Sequence, residues 1–369
     1  MFQSVRAPGT DILSPRGVLL AFVLVALASS LDAQSSGSEI YRVACESCHG
    51  PGGRGTAQSQ VGFDIPLPDF TDCSFATREP NADWLAVAHA GGPVRGFDRM
   101  MPAFGQALSE EDLEGALDHI RTFCKDPAWP RGELNLPRPL VTEKAYPEDE
   151  AVFSSSFGSD AVSTELVYEK RFGARNQVEI KVPFGFSESE RDWRGGIGDV
   201  AIGFKRALHH SLESGSIFSA AAEVILPTGD HDDGFGKGTA IFEPFVAFGK
   251  ILPAEWFIHA QAGLEFPVDT DRAEREGFLR TAIGTSFTEG RWGRTWSPMF
   301  ELLAGAELDS GSDVQWDAVP QIQVTLNTRQ HLMANVGVRF PLNNRGDQDS
   351  EVLFYLLWDW FDGGLRDGW

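Results

Sequence analysis

Positive charge is scarce in this chain: 31 Lys and Arg stand against 53 Asp and Glu over 369 residues, for a formal charge of −22. Phosphate backbones demand a basic patch, so nucleic acid is excluded as a partner. Long apolar runs are equally scarce. Beyond the first 33 residues no stretch approaches the ~20 apolar residues that a membrane-crossing helix needs, so no helical span is expected downstream. A nucleophile elbow, a phosphate-cradling glycine loop and a paired-carboxylate constellation are all missing, which argues against a catalyst. Cysteine is limited to four residues, and two of them sit close together near the start.

The single apolar run that does exist lies at the beginning. Val18 to Ala28 is apolar, follows Arg6 and Arg16, and precedes Leu31-Asp32-Ala33, which offers a small residue for cleavage before Gln34. Residues 1–33 are therefore expected to be an export signal, since the run is too short for a comfortable transmembrane helix. Cleaved or retained, it places the body of the protein outside the cytoplasm, where disulfides persist.

Cys45-Glu46-Ser47-Cys48-His49 is a C-x-x-C-H run. Two thiols at that spacing reach the two vinyl groups of one porphyrin while the adjacent imidazole ligates its iron, so the pattern marks covalent attachment of one haem c. A bare C-x-x-C also serves zinc sites and redox motifs, and the adjacent His49 decides between them. Gly50-Pro51-Gly52-Gly53-Arg54-Gly55 then breaks the opening helix. Its backbone carbonyls are expected to approach His49 Nδ1, fixing the tautomer and leaving Nε2 for iron.

The second axial ligand is expected downstream in Met100-Met101-Pro102-Ala103-Phe104. Pro102 keeps Met101 out of helical geometry, which suits a thioether turned inward from a loop. Met100 is the alternative, and His89 and His119 are expected to be solvated helix residues. Ser109 is the expected N-cap of a closing helix whose first turn is acidic and whose Leu113, Leu117, Ile120 and Phe123 form one apolar face.

With those residues in place, residues 36–124 resemble a class I cytochrome c. The resemblance rests on Tyr41 ahead of Cys45-x-x-Cys48-His49-Gly50, the loop Pro66-Leu67-Pro68-Asp69-Phe70, Met101-Pro102-Ala103-Phe104, and the helix from Leu113 to Phe123. It implies a small all-α domain over residues 34–126. It also implies thioether bonds from Cys45 and Cys48, iron ligation by His49 and Met101, and single-electron transfer. The remaining pair, Cys73 and Cys124, leaves no odd cysteine. In an exported domain these two are expected to form a disulfide, which the family pattern does not require; a free buried pair is the alternative.

Five prolines stud residues 127–149, where no regular period survives, so a semi-rigid linker is expected there. From about residue 150 the apolar period becomes two. Val178, Ile180, Val182 and Phe184 alternate with Gln177, Glu179 and Lys181, and similar runs continue through Trp256 to Phe266, Trp316 to Leu326 and Leu332 to Phe340. Such runs are ~10 residues long and number roughly twelve, the length and even count of a bacterial outer-membrane barrel. Residues 150–369 are therefore expected to form an antiparallel all-β barrel.

Connection lengths support that reading. Short links at 173–176, 251–254 and 327–329 alternate with longer ones at 188–198, 228–238, 268–277 and 343–350, while 208–215 and 289–293 are longer exceptions on the short side. Trp256, Phe266, Trp296, Trp316, Phe340, Trp358 and Trp360 are expected in interfacial girdles, and the chain ends in Trp369. Glu223, Glu243, His259, Glu265, Arg280, Glu301, Arg339 and Asp359 are expected to face the interior, lining a passage or forming an internal ion network. Pro244, Pro298 and Pro320 are expected at bulges or near strand ends. Residues 229–234 read as a solvated turn rather than a cation loop. A soluble β-sandwich is the competing fold.

The expected function is that of a haem-c electron-transfer protein of the periplasm, anchored in the outer membrane by its own barrel and serving periplasmic redox proteins. One alternative is a porin or transporter for small solutes whose haem domain acts as redox sensor or gate. Another is an electron-accepting cytochrome subunit of a periplasmic oxidoreductase.

Overall fold

A computed structural model describes residues 36–189, 192–309, 311–343 and 349–360. The expected export signal, the middle of the 188–198 and 343–350 connections, and the terminal tail with Trp369 lie wholly or partly outside these residues.

The first unit is a small helical domain. Its opening helix runs through α1 (Gly37–Ile40), a π-helical turn (Tyr41–Cys45) and α2 (Glu46–His49). Short helices α3 (Gln58–Val61) and α4 (Cys73–Ala76) lead to α5 (Asn81–Ala90) and the closing α6 (Glu110–Arg121). Ser109 caps α6 as expected: its side chain accepts from Asp112 N, and Asp112 returns a bond to the Ser109 backbone, a complete capping box. Leu113, Leu117 and Ile120 turn into a core shared with Tyr41, Phe70 and Leu85. The approach of α1 to α6 depends on Gly37, because a Cβ there would lie 1.9 Å from the Gly115 carbonyl oxygen. Cys73 and Cys124 form a disulfide with Cα atoms 5.0 Å apart, which ties the start of α4 to the end of α6.

The second unit is a closed antiparallel barrel. Its wall consists of β1 (Glu150–Phe157), β2 (Ala161–Phe172), β3 (Asn176–Ser189), β5 (Ala201–Ser211), β6 (Ser216–Ile225), β7 (Ile241–Ile251), β8 (Trp256–Pro267), β9 (Glu276–Thr285), β11 (Thr295–Glu307), β12 (Gln315–Thr325), β13 (Leu332–Pro341) and β14 (Glu351–Asp359). Two short strands, β4 (Asp192–Ile197) and β10 (Phe287–Thr288), extend hairpins at opposite ends. Each wall strand pairs with the next, β9 with β11, and β14 returns to β1, so the twelve strands leave no free edge.

The wall is apolar outside and polar inside. Ile202, Phe204, Val246, Leu279 and Val336 are exposed on the outer surface, whereas Glu169, Gln261, Glu301 and Asn335 are almost wholly buried. A soluble sandwich would have the reverse arrangement, because water would penalise an apolar outer face. This closed, inverted sheet is an outer-membrane type of barrel.

Two expectations need correction. Pro320 lies in the middle of β12, and neither it nor Pro244 sits at a bulge. Pairing lapses at Pro244 toward β8 and at Val319 and Pro320 toward β13, then resumes in the same register, so each proline costs ladder bonds without shifting a strand. Trp360 is not a girdle residue. It is 4 % exposed and packs on Tyr168 and Trp358 where the wall closes.

Candidate haem site and the filled lumen

The opening helix presents Cys45, Cys48 and His49 together at its end. Cys45 and Cys48 are free thiols, both half-buried, while the other two cysteines are consumed in the disulfide. Burial and the neighbouring Cys48 push the Cys45 thiol up to about 11, so it is held as the neutral thiol. Burial lowers the pKa of His49, which favours the neutral imidazole that can ligate a metal.

The His49 ring packs on Phe70 with centroids 5.0 Å apart. Its Nδ1 is buried without a hydrogen-bond partner, so the expected bond to a carbonyl of the glycine-rich loop is not made. Two of the loop carbonyls serve other donors instead. Gly50 O accepts from the Tyr41 hydroxyl at 2.6 Å, and Gly53 O accepts from Phe70 N at 2.7 Å. Burial pushes the Tyr41 hydroxyl up to about 12, which keeps it a donor.

Met101 is fixed through its backbone. Its carbonyl accepts from Gly92 N at 3.0 Å, and the following loop is pinned to the end of α5 by Phe104 N to Ala88 O at 3.0 Å and Gly105 N to His89 O at 2.9 Å. Gly91, with φ +86°, permits the close passage, since a Cβ there would lie 3.1 Å from Met101 O. Met101 is half-buried, whereas Met100 is 48 % exposed. His119 and His89 are not solvated helix residues as expected. His119 packs against Tyr41 and Phe123, and His89 stacks on Trp292 of the barrel with its Nε2 3.1 Å from Arg291 Nη1. The donor set of two free thiols, a neutral imidazole and a half-buried thioether fits haem c.

The helical domain is seated on one end of the barrel. Arg95 Nη1 donates to Trp292 O at 2.8 Å, Arg291 pairs with Glu110, Arg329 stacks over Phe97, and His331 Nε2 lies 2.9 Å from Glu79. The barrel residues involved lie in the connections after β10 and β12. Ala128 O accepts from Arg175 in the link after β2, which is also at this end. The short links thus share the end that meets the helical domain, as their spacing predicts.

What the sequence does not foretell is the position of residues 134–149. They are buried almost throughout and run across the barrel interior, touching inward side chains from all round the wall. Leu140 N donates to Gln321, Val141 N and Thr142 N donate to Glu301, Glu143 N to Gln261, and Glu148 N to Gln177. Arg138 O accepts from Tyr355 Oη at 2.6 Å, Pro137 O is 3.0 Å from His259 Nε2, and Lys144 O accepts from Lys205 Nζ at 3.0 Å. A proline-rich stretch without secondary structure leaves its backbone groups unpaired, and here the wall supplies their partners one by one.

Charge is matched in the same way. Arg138 pairs with Glu150 at 2.5 Å, Glu169 at 2.9 Å and Glu143 at 3.5 Å, Lys144 pairs with Glu148 and Glu150, and Lys181 bridges Glu143, Glu179 and Glu223. Glu143, Glu169 and Glu179 bring carboxylate oxygens within 4.8 Å of one another, but these cations already lie among them. The interior residues expected from the alternation, including Glu223, His259, Glu301 and Asp359, do face inward. At this level of the lumen they form an internal network around the chain's own segment.

Comparison with known proteins divides the chain in the same place. Residues 32–120 match the family model described as cytochrome c oxidase, cbb3-type, subunit III, and residues 141–350, more than half of the chain, match the one described as "Putative MetA-pathway of phenol degradation". Among solved structures, an outer membrane channel from Pseudomonas putida F1 is 12 % identical with a TM-score of 0.43, covering 60 % of this chain and 99 % of that one. The NanC porin is 9 % identical with a TM-score of 0.40, covering 57 % of this chain and 98 % of that one. No curated protein matches the chain.

Proposed function

We propose that this chain, which belongs to the phenol-degradation MetA-pathway family and carries a cytochrome c domain ahead of its barrel, is a haem-c electron-transfer protein held in the outer membrane with its haem domain in the periplasm. The observation that carries the reading is the division of the cysteines. Cys73 and Cys124 close on each other, which leaves Cys45 and Cys48 free beside His49 within the cytochrome-matched region.

Haem c, when bound, supplies an iron that exchanges one electron at a time. Cys45 and Cys48 would hold the porphyrin through thioether bonds, and His49 with its neutral imidazole and Met101 with its sulfur would ligate the iron. Ligation by a thioether together with an imidazole favours the ferrous state and raises the potential. The half-buried position of Met101 supports it over the more exposed Met100. Periplasmic redox proteins are the partners that this role requires. The filled lumen favours an anchoring barrel over an open solute pore.

The test is optical. Met101→Ala in the haem-loaded protein should abolish the sulfur-to-iron absorption band and lower the potential, while Met100→Ala should leave both in place. The opposite pattern would transfer the ligand role to Met100, and retention of the band in both variants would exclude this loop.

A further inference from the structure

A row of acidic residues crosses the barrel wall, one per strand. On the haem-domain side Asp359 is the register partner of Glu150, Glu150 of Glu169, and Glu169 of Glu179. Gly203 on β5 is the one interruption, pairing with Glu179 and then with Glu223. Glu223 pairs with Glu243, and Glu243 stands opposite Glu265, as the flanking pairs Phe242 with Phe266 and Phe245 with Gly263 require. Glu265 pairs with Glu276, and Glu276 with Glu307. All these positions share the inward parity of their strands. Strands of a closed barrel are tilted, so a row of register partners climbs as it goes round. This row begins beside His331 and Glu79, where the helical domain sits, and ends at the far mouth.

Its two halves are occupied differently. In the lower half, Arg138 and Lys144 from residues 134–149 lie against Glu150 and Glu169. In the upper half, Glu243, Glu265 and Glu276 have no cationic group within 4.0 Å among the described residues. Buried wall groups next to the segment also lack a hydrogen-bond partner, among them Nε2 of Gln261 and Nδ1 of His259, on residues 1 % and 2 % exposed. The segment is therefore an occupant of a surface that remains polar and acidic beyond it.

We propose that residues 134–149 are a resident gate, and that displacing them opens a path for small cations along the glutamate row. The segment closes the lumen because its backbone is bonded to side chains on opposite sides of the wall. It is held by ion pairs, by single hydrogen bonds to side chains and by apolar contacts of Leu134, Leu136, Leu140 and Tyr146 with the wall, but by no strand ladder, so it can leave without unzipping the barrel. Once it has left, Glu150 and Glu169 lose the guanidinium and ammonium groups that balance them. The carboxylates then outnumber Lys181, Lys205 and Arg280 on the same wall, and a mouth lined by one sign of charge concentrates the opposite ion.

The experiment is ion conductance of the haem-loaded full chain in planar bilayers under a KCl gradient. The native protein should show no steady current. Arg138→Ser combined with Lys144→Ser should produce discrete openings whose reversal potential reports K⁺ passing several-fold better than Cl⁻. Adding Glu243→Gln and Glu265→Gln should keep the openings and reduce that preference. If the double variant fails to form a heat-modifiable barrel, Glu301→Gln takes its place, since it weakens the bonds to Val141 and Thr142 at unchanged shape. Steady current through the native protein, openings that favour Cl⁻, or folded gate variants that remain silent would each overturn the proposal.

Discussion

The helical domain and the barrel apply opposite solvent rules to the same residue types. In the former, Tyr41, Leu113, Leu117 and Ile120 are buried and Glu114 and Asp118 face water. In the latter, Glu150, Glu169, Glu301 and Asp359 are buried while Phe204, Ile283, Phe300 and Val336 face outward. Burial of a carboxylate is costly unless it is paired, and the barrel interior meets that cost with Arg138, Lys144, Lys181 and many hydrogen bonds. The helical domain meets the hydrophobic requirement by ordinary core packing and adds a disulfide. The contrast teaches that the outer surface of the barrel is built for lipid, and that its interior combines ion pairs with apolar clusters such as Leu303, Val319 and Leu353, where the helical domain relies on hydrocarbon.

The sharpest way to break the contrast is to put the same residue on both outer surfaces. Val336→Arg places a charge on the lipid face of β13 and should cost about 2–4 kcal/mol of barrel stability if it lies near the bilayer midplane. Val43→Arg, on the water-exposed helix, should stay within about 0.5 kcal/mol. Urea unfolding in bilayers for the first and thermal melting for the second measure the difference; equal effects would remove the distinction.

Next in size is the disulfide. Cys73→Ser with Cys124→Ser should destabilise the helical domain by about 2–4 kcal/mol and leave heat modification of the barrel unchanged. Gly37→Ala should cost about 1–3 kcal/mol in the same domain, because its Cβ meets the Gly115 backbone, which cannot rotate away. Thermal melting followed by haem absorbance checks both. The smallest effect concerns the seam between the two units. Arg291→Ala removes exposed contacts to Glu110 and His89 and should cost about 0.2–1 kcal/mol, read as slightly faster protease cleavage of residues 125–133.

Most of the fold was legible because its signals are local. The C-x-x-C-H run, the Ser109 cap and the two-residue alternation each depend on neighbours within a few positions. The segment at 134–149 was not legible, because its partners lie far off in sequence: Thr142 is bonded to Glu301 and Leu140 to Gln321. Prolines and a missing period look the same whether a stretch is a tether in water or is threaded through a barrel. The acidic row was hidden for a related reason. Each strand contributes one residue, and only the register reveals that they are neighbours. The missing bond to His49 Nδ1 was not legible either, because spacing alone does not show where the loop carbonyls point; those of Gly50 and Gly53 serve Tyr41 and Phe70.

The most direct test of the joint reading is to follow covalently bound haem on the intact chain. Membranes from cells making the protein would be fractionated, and the chain run with and without heating and stained for haem. The account predicts a haem-stained band that is found in the outer membrane, needs detergent for release and changes mobility on heating. Full-length, haem-stained protein in the soluble periplasm without detergent, or a heat-modifiable outer-membrane band that carries no haem, would contradict it.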